Sequence, residues 1–226
     1  MCIGRNILII ATALGCCNKL FCQTTETSVQ CDATFQLSER WTIEPTMKAA
    51  YNTSGADYFW GNTGANLRFT IYNNTSIFAG TFLSGAKYFD MENFDLIMTL
   101  IEGIKTKTKA GFEHTLYFEQ RDLYFSPSDY TVPCSRFSYS LSRDTRLDKN
   151  GKYKLVTGAS VSFNIRSDIN DCEYLQRVRL HAGLTRQLTE RTDITAGYTY
   201  MLAGKKQIYF DEANKYHAIN LTITIH

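Results

Sequence analysis

Residues 152–166, KYKLVTGASVSFNIR, indicate the fold because two kinds of side chain alternate along them. One set of alternate positions is mainly apolar and comprises Tyr153, Leu155, Thr157, Ala159, Val161, Phe163 and Ile165. The other set is mainly small or charged and comprises Lys152, Lys154, Val156, Gly158, Ser160, Ser162, Asn164 and Arg166. A period of two is typical of a β-strand with one apolar face. The run is long for a strand of a soluble protein, where about five or six residues are usual.

The same alternation recurs along the chain from residue 39 onward, and no segment there shows convincing helical periodicity. We predict strands over about 39–51, 64–73, 76–88, 93–105, 109–123, 134–145, 152–166, 173–187, 192–203 and 215–226. The chain has 226 residues, of which 44% are hydrophobic, so it suits one domain and is too apolar for a disordered protein. The sequence therefore predicts a single all-β domain.

The connections between the predicted strands alternate in length. Gaps such as 52–63, 124–133 and 204–214 are long, whereas gaps such as 74–75 and 106–108 are short. Short turns at one end and long loops at the other are typical of outer-membrane barrels. We predict one antiparallel up-and-down transmembrane β-barrel of about ten strands (range 8–12), with short periplasmic turns and longer extracellular loops. An even strand number would place both termini on the periplasmic side.

The first residues resemble a secretory signal. Arg5 precedes an apolar run over 7–14, which is too short to cross a bilayer as a helix. We predict a cleaved signal peptide over 1–22, a periplasmic lead-in over 23–38 and the barrel over 39–226. A lipoprotein that begins at Cys16 or Cys17 is the alternative. Either form of export predicts a location in the bacterial outer membrane.

Three cysteines remain after removal of residues 1–22, namely Cys31, Cys134 and Cys172. An exported protein can hold a disulfide. Cys134 and Cys172 both lie where predicted strands meet predicted outer loops, so a disulfide and two free thiols are both open. The chain has no paired-cysteine metal motif and its histidines are far apart, so we expect no metal and no cofactor.

Charged residues occupy the positions that face inward if the apolar face contacts lipid. We expect a luminal charge cluster that comprises Glu113, Glu119, Arg121, Arg136, Lys154, Arg166, Arg177, Arg179 and His181. A charge inside a narrow barrel is costly unless it is paired or hydrated, so Glu119 or Glu113 should accept hydrogen bonds from Arg136 or Arg121. Basic residues outnumber acidic ones in the expected inward set, which an anionic ligand could use.

Aromatic residues gather near the predicted outer ends of the strands. The set includes Tyr51, Tyr58, Phe59, Trp60, Tyr88, Tyr200, Tyr209 and Tyr216. Aromatic side chains concentrate at membrane–water boundaries, so we expect an outer aromatic girdle.

Several short motifs resemble a known family. They are Glu119-Gln120-Arg121, Arg136-Phe137-Ser138-Tyr139, the segment 177–184 and Gly197-Tyr198. Together they make about 35–226 similar to small outer-membrane β-barrel proteins of Bacteroidota that belong to a domain of unknown function. The resemblance implies an envelope location and a barrel fold, and it implies no reaction.

We expect an outer-membrane barrel with a closed or narrow lumen and a structural or binding role. The expected partners are outer-membrane lipid and the barrel-assembly machinery, and the barrel is expected to be a monomer. A net charge of +2 argues against nucleic acid as a partner. The first alternative is a narrow channel for small, anionic solutes, and the second is a lipid hydrolase or acyltransferase that uses His181. The third is a soluble calycin-like carrier with a cavity lined by Phe112, Leu116, Phe137, Leu155, Val161, Phe163 and Leu180.

Overall fold

The computed structural model describes residues 24–52, 58–88, 94–125, 134–167, 175–203 and 214–226. The described strands are β1 Thr24–Ala33, β2 Phe35–Gln36, β3 Trp41–Asn52, β4 Tyr58–Tyr72, β5 Thr75–Tyr88, β6 Phe94–Lys107, β7 Phe112–Phe125, β8 Cys134–Arg146, β9 Tyr153–Ser167, β10 Leu175–Thr189, β11 Thr192–Ala203 and β12 Asn214–Ile225. The predicted signal peptide, 1–22, lies outside the described residues. No helix among the described residues is long and apolar enough to cross a membrane.

The strands form one closed sheet. Each strand from β3 to β12 pairs antiparallel with the next strand in the chain. β1 lies between the two ends of that series, parallel to β12 and antiparallel to β3. Eleven strands therefore close the barrel, and the two-residue β2 pairs only with β3. The predicted all-β barrel is confirmed, and its strand number falls within the predicted range.

The barrel has two distinct ends. The end with the short connections 73–74, 108–111, 147–152 and 190–191 is called the turn end, and the opposite end is called the loop end. In two of the turns a glycine adopts a positive φ, 84° at Gly111 and 67° at Gly151, a conformation that other residues rarely adopt. The Asp148 carboxylate accepts a hydrogen bond of 2.8 Å from the backbone N–H of Tyr153. This bond, the largest of several backbone contacts, lowers the pKa of the exposed Asp148 carboxyl.

The predicted lead-in over 23–38 and the even strand number are wrong. Thr24–Ala33 forms β1, which pairs along its length with β12 and over 26–32 with β3. Without β1 both β3 and β12 would present an unpaired edge, and unpaired backbone polar groups are not tolerated in lipid. Because β1 is parallel to β12, Thr24 lies at the loop end and not at the turn end.

The outer wall of the barrel is mainly apolar. Leu180 is 52% exposed and Phe163 is 45% exposed, although both lie in the middle of the apolar alternation. Leu116 and Phe137 are exposed in the same way. The soluble-carrier alternative is therefore wrong, because it needs these side chains inside a cavity. An apolar outer wall is the arrangement that lipid requires.

Strand β4 begins earlier than predicted. Residues 58–63 fall in the predicted connection 52–63, yet β4 begins at Tyr58. A side chain at position 64 would overlap Phe82 and the backbone at Thr81. Gly64 therefore marks a close approach between neighbouring strands, not a turn.

Candidate binding site in the lumen

A cavity of about 990 Å³ occupies the inside of the barrel. All eleven strands that close the barrel contribute residues to its lining. Its polar lining residues include Gln30, Thr46, Asn62, Ser84, Thr99, Ser140, Ser160, Thr195, Asn220 and Thr222. Some of these side chains hydrogen bond across neighbouring strands: Asn62 donates to Ser84 at 3.0 Å, and Asn220 accepts from Ser28 at 2.7 Å. The cavity wall thus combines hydroxyl and amide groups with charged side chains and with apolar ones such as Phe82, Ile97 and Met201.

We call the half of the lumen nearer the loop end the loop half, and the other half the turn half. One ion pair in the loop half is buried. Glu119 on β7 lies directly opposite Arg136 on β8, and Arg136 Nη1 is 3.2 Å from Glu119 Oε2. Their side chains are only 10% and 3% exposed. This is one of the pairings expected from the sequence. Nearby, Ser138 and Ser162 hydrogen bond at 2.9 Å across β8 and β9.

Strand β10 presents three consecutive inward basic residues, Arg177, Arg179 and His181, which we call the basic strip. On β9 their register partners are Ser162, Ser160 and Gly158, and on β11 they are Ala203, Met201 and Thr199. Positive charge is therefore flanked on both neighbouring strands by uncharged residues. This is the most basic stretch of the described lumen.

Two members of the basic strip are positioned by neighbouring strands. Arg179 Nε lies 3.4 Å from the Met201 Sδ on β11. The His181 ring lies against Gly158 on β9, where an added Cβ would overlap the ring. A glycine at position 158 therefore makes room for the imidazole.

The far wall of the loop half carries an acid with two partners. The Glu26 carboxylate on β1 accepts hydrogen bonds from Lys48 Nζ and from Trp60 Nε1, each at 3.1 Å. Lys48 also lies over the Trp60 ring, 4.6 Å from its centroid. Trp60 thus lines the lumen, as does Tyr216, and the prediction that both belong to the outer girdle is wrong. Tyr51 and Phe59 do face outward and are exposed.

The turn half of the lumen contains a second group of charges, which we call the turn-half ion pairs. They are Glu44–Arg68 at 3.0 Å, Lys105–Glu113 at 2.9 Å and Lys154–Asp193 at 3.5 Å. Asp193 also lies 3.3 Å from His226 Nε2. Asp32 accepts hydrogen bonds from Gln30 at 2.9 Å and from Thr46. Every pair joins neighbouring strands except Lys154–Asp193, which spans two strands across β10.

Several solved structures are similar to this chain, among them two autotransporter domains. The translocator domain of the autotransporter NalP from Neisseria meningitidis matches with a TM-score of 0.51 and 12% identity, over 77% of this chain and 72% of that chain. The β-domain of the Bordetella autotransporter BrkA matches with a TM-score of 0.50 and 13% identity, over 82% and 83%. The chain has the fold of an outer-membrane β-barrel. No family model matches the sequence, and no curated protein matches it significantly.

The outer-membrane barrel brings together only part of the predicted charge cluster. Glu119, Arg136, Arg177, Arg179 and His181 all line the cavity. Glu113 and Lys154 lie in the turn half, where they pair with Lys105 and Asp193 and not with the arginines. The side chains of Arg121 and Arg166 lie outside the described part of the structure, as do the Cys134 side chain and the whole of Cys172, so the proposed disulfide is not described.

Several functional residues of the lumen were missed in the sequence. Glu26 and Asp32 lie on β1, within the predicted lead-in, and Asp193 lies in the predicted strand 192–203 but was not among the expected luminal charges. These three additional acids offset much of the excess of basic over acidic residues that the sequence predicted for the lumen. The basic residues that remain are concentrated on β10. The alternation Glu26, Ser28, Gln30, Asp32 is the signal that could have revealed β1.

The described lumen offers little for metal or nucleophilic chemistry. No group of three or more potential metal ligands occurs among the described residues. Ser138 and Ser162 bond to each other, and no hydrogen bond between a serine and His181 is present among the residues that the structure describes. The arrangement of Arg177, Arg179 and the hydroxyls of β9 is instead suited to hold an anion.

Proposed function

We propose that this outer-membrane barrel binds a small anionic solute in its lumen, without catalysis and without a cofactor. The observation that carries the proposal is the basic strip, which faces a cavity of about 990 Å³. Guanidinium groups bind carboxylates and phosphates through paired N–H donors. Ser160 and Ser162 on β9 lie beside the two arginines and supply hydroxyl donors to the same ligand.

The placement of the basic strip gives the proposal a direction. Short turns are typical of the periplasmic side of such barrels, so we place the turn end in the periplasm and the loop end outside the cell. Arg177 and Arg179 lie in the first third of β10, near the loop end. The anion would therefore reach its site from outside. Export by a signal peptide over 1–22 and insertion by the barrel-assembly machinery complete this proposal.

A narrow channel for small anions is the second candidate function. The lining from all eleven closing strands surrounds the cavity on every side, as a conduction path requires, and the basic strip would favour anions. A barrel of this size is far below the about 16 strands of aqueous porins, so any conductance should be small.

The test uses the mature barrel, purified from membranes in detergent. Thermal unfolding is followed with inorganic phosphate, with citrate and with chloride at equal ionic strength. Phosphate or citrate should raise the unfolding temperature of the wild type, because a ligand that binds only the folded state stabilises it. The variant Arg177→Gln/Arg179→Gln should lose this increase.

The matched control is Arg143→Gln/Arg186→Gln, which removes the same charge from residues that stack on Phe112 and Tyr153 outside the basic strip. It should respond to anions as the wild type does. Equal responses in both double variants, or no response in the wild type, would contradict luminal anion binding. Planar-bilayer recordings with anion selectivity that the strip variant abolishes would favour the channel. Lipid hydrolysis that His181→Ala abolishes would overturn the non-catalytic assignment.

A further inference from the structure

One carboxylate lies on the outer, lipid-facing wall of the barrel. Glu102 on β6 is exposed and falls between Leu100 and Ile104, which are outward-facing and exposed too. The alternate residues Thr99 and Ile101 line the lumen, so the face assignment of β6 is unambiguous.

The surroundings of Glu102 are apolar on its neighbouring strands as well. Its register partners are Ala79 on β5 and Phe118 on β7. No hydrogen bond or ion pair to its carboxylate occurs among the described residues. Ionisable side chains in the membrane are costly and almost always face a protein partner or a water-filled cavity. Glu102 therefore needs a partner that the barrel wall itself does not provide.

Two further polar groups lie on the same sector of the outer wall. Gln120 on β7 is exposed, two positions beyond Phe118 towards the loop end. On β8 the hydroxyl of Tyr139, a 39% exposed residue, is 2.8 Å from His114 Nδ1. In the tautomer in which His114 Nδ1 is protonated, Nδ1–H donates a hydrogen bond to the Tyr139 oxygen. The Tyr139 hydroxyl can then donate its own hydrogen bond to another acceptor.

Glu102 and Tyr139 lie at the same depth on opposite sides of β7. Glu102, Phe118 and Phe137 lie on one line perpendicular to the strands. From β6 to β8 this line moves closer to the loop end. Glu102 is eight residues from the loop end of β6, whereas Phe137 is only three residues from the loop end of β8. The strands are tilted by about 40° from the barrel axis and lie about 4.8 Å apart. A line of constant depth in the membrane is therefore displaced from the perpendicular line by about 1.2 residues towards the turn end at each successive strand. Over two strands, Tyr139 is therefore level with Glu102.

We propose that two copies of this barrel associate in the membrane about a two-fold axis that is parallel to the membrane normal and crosses β7 between Leu116 and Phe118. Such an axis keeps depth unchanged and places β6 of one copy opposite β8 of the other. Each Glu102 then accepts a hydrogen bond from the other copy's Tyr139, twice in the dimer.

The shape of the barrel agrees with this pairing. Two convex walls touch at β7, through Leu116 and Phe118, and diverge towards β6 and β8. Long side chains such as those of Glu102 and Tyr139 can reach across the widening gap. The proposal departs from the monomer expected from the sequence, and it is independent of anion binding in the lumen.

The test uses the mature barrel with Cys31, Cys134 and Cys172 replaced by serine, in lipid nanodiscs and in proteoliposomes. Leu116→Cys should form a disulfide-linked dimer under mild oxidation, whereas Leu184→Cys, exposed on β10 away from the axis, should not. Tyr139→Phe removes two hydrogen bonds per dimer and should raise the dimer dissociation constant about tenfold, measured by fluorescence transfer between labelled copies. Glu102→Leu should do the same.

The matched control is Tyr198→Phe, since Tyr198 also faces outward and hydrogen bonds to a histidine Nδ1, that of His217, but lies on β11. It should leave the dissociation constant unchanged. Heat-modifiable gel mobility confirms that each variant is folded. Equal cross-linking at positions 116 and 184, a wild type without fluorescence transfer, or equal effects of the two tyrosine variants would overturn the dimer. A monomer that retains an amine lipid through Glu102 in native mass spectra would overturn it as well.

Discussion

The two halves of the lumen use charge in different ways. In the turn half, Glu44, Glu113 and Asp193 each lie within 3.5 Å of a basic side chain. The Glu44 and Glu113 pairs are partly exposed, whereas Asp193 is itself buried beside a partly exposed Lys154. In the loop half, the Glu119–Arg136 pair is almost fully buried and the basic strip lies two strands away on β10. Exposed pairs contribute little to stability, whereas a buried pair is costly to break. The turn half therefore uses its charges to fasten strands to one another, whereas the loop half, besides the Glu26–Lys48 pair, presents the basic strip to a ligand.

The largest expected effect breaks the buried pair of the loop half. Arg136→Met removes the guanidinium that pairs with the buried Glu119 and should lower the free energy of unfolding by about 3 kcal/mol. The corresponding change in the turn half, Arg68→Met, should cost at most about 1 kcal/mol because Arg68 and Glu44 are partly exposed. Urea unfolding of the barrel in lipid vesicles measures both. Equal losses would show that the two halves do not differ in this way.

An intermediate effect concerns the position of His181 in the basic strip. Gly158→Ala places a Cβ in the space of the His181 ring and close to the Leu141 carbonyl oxygen, and overpacking of this kind costs about 1–3 kcal/mol. The second change His181→Ser should recover part of the loss, since it removes the ring. A double-mutant cycle of unfolding free energies measures the coupling. Strictly additive changes would contradict the contact.

The smallest effect lies in a turn outside both halves. The pKa of Asp148 is lowered by the Tyr153 N–H, so the unfolded chain takes up its proton at a higher pH than the folded barrel does. The stabilisation is therefore complete above the ordinary carboxyl pKa, near 3.8, and is lost as the pH falls through the lowered value. The difference in unfolding free energy between wild type and Asp148→Asn should shrink over that range. A difference that does not vary with pH would exclude this contribution.

The candidate site was predictable where the inward alternation is strong. On β10, Arg177, Arg179 and His181 alternate with Val178 and Leu180, so their common face follows from the period of two. The partner of each charge was less predictable, because a partner depends on register. Glu113 meets Lys105 and Lys154 meets Asp193, and neither pair follows from residue spacing along one strand.

The strand positions and the orientation of the apolar wall were determined by the sequence itself, since alternation and loop length are local properties of the chain. The run 152–166 shows both, and its face assignment agrees with the lumen lining of Ser160 and Ser162. Only the tertiary structure decided how the barrel closes. β1 is weakly apolar and is selected because it satisfies the edges of β3 and β12, a requirement that arises only when the sheet closes in lipid. Closure also made the strand number odd and placed Thr24 at the loop end.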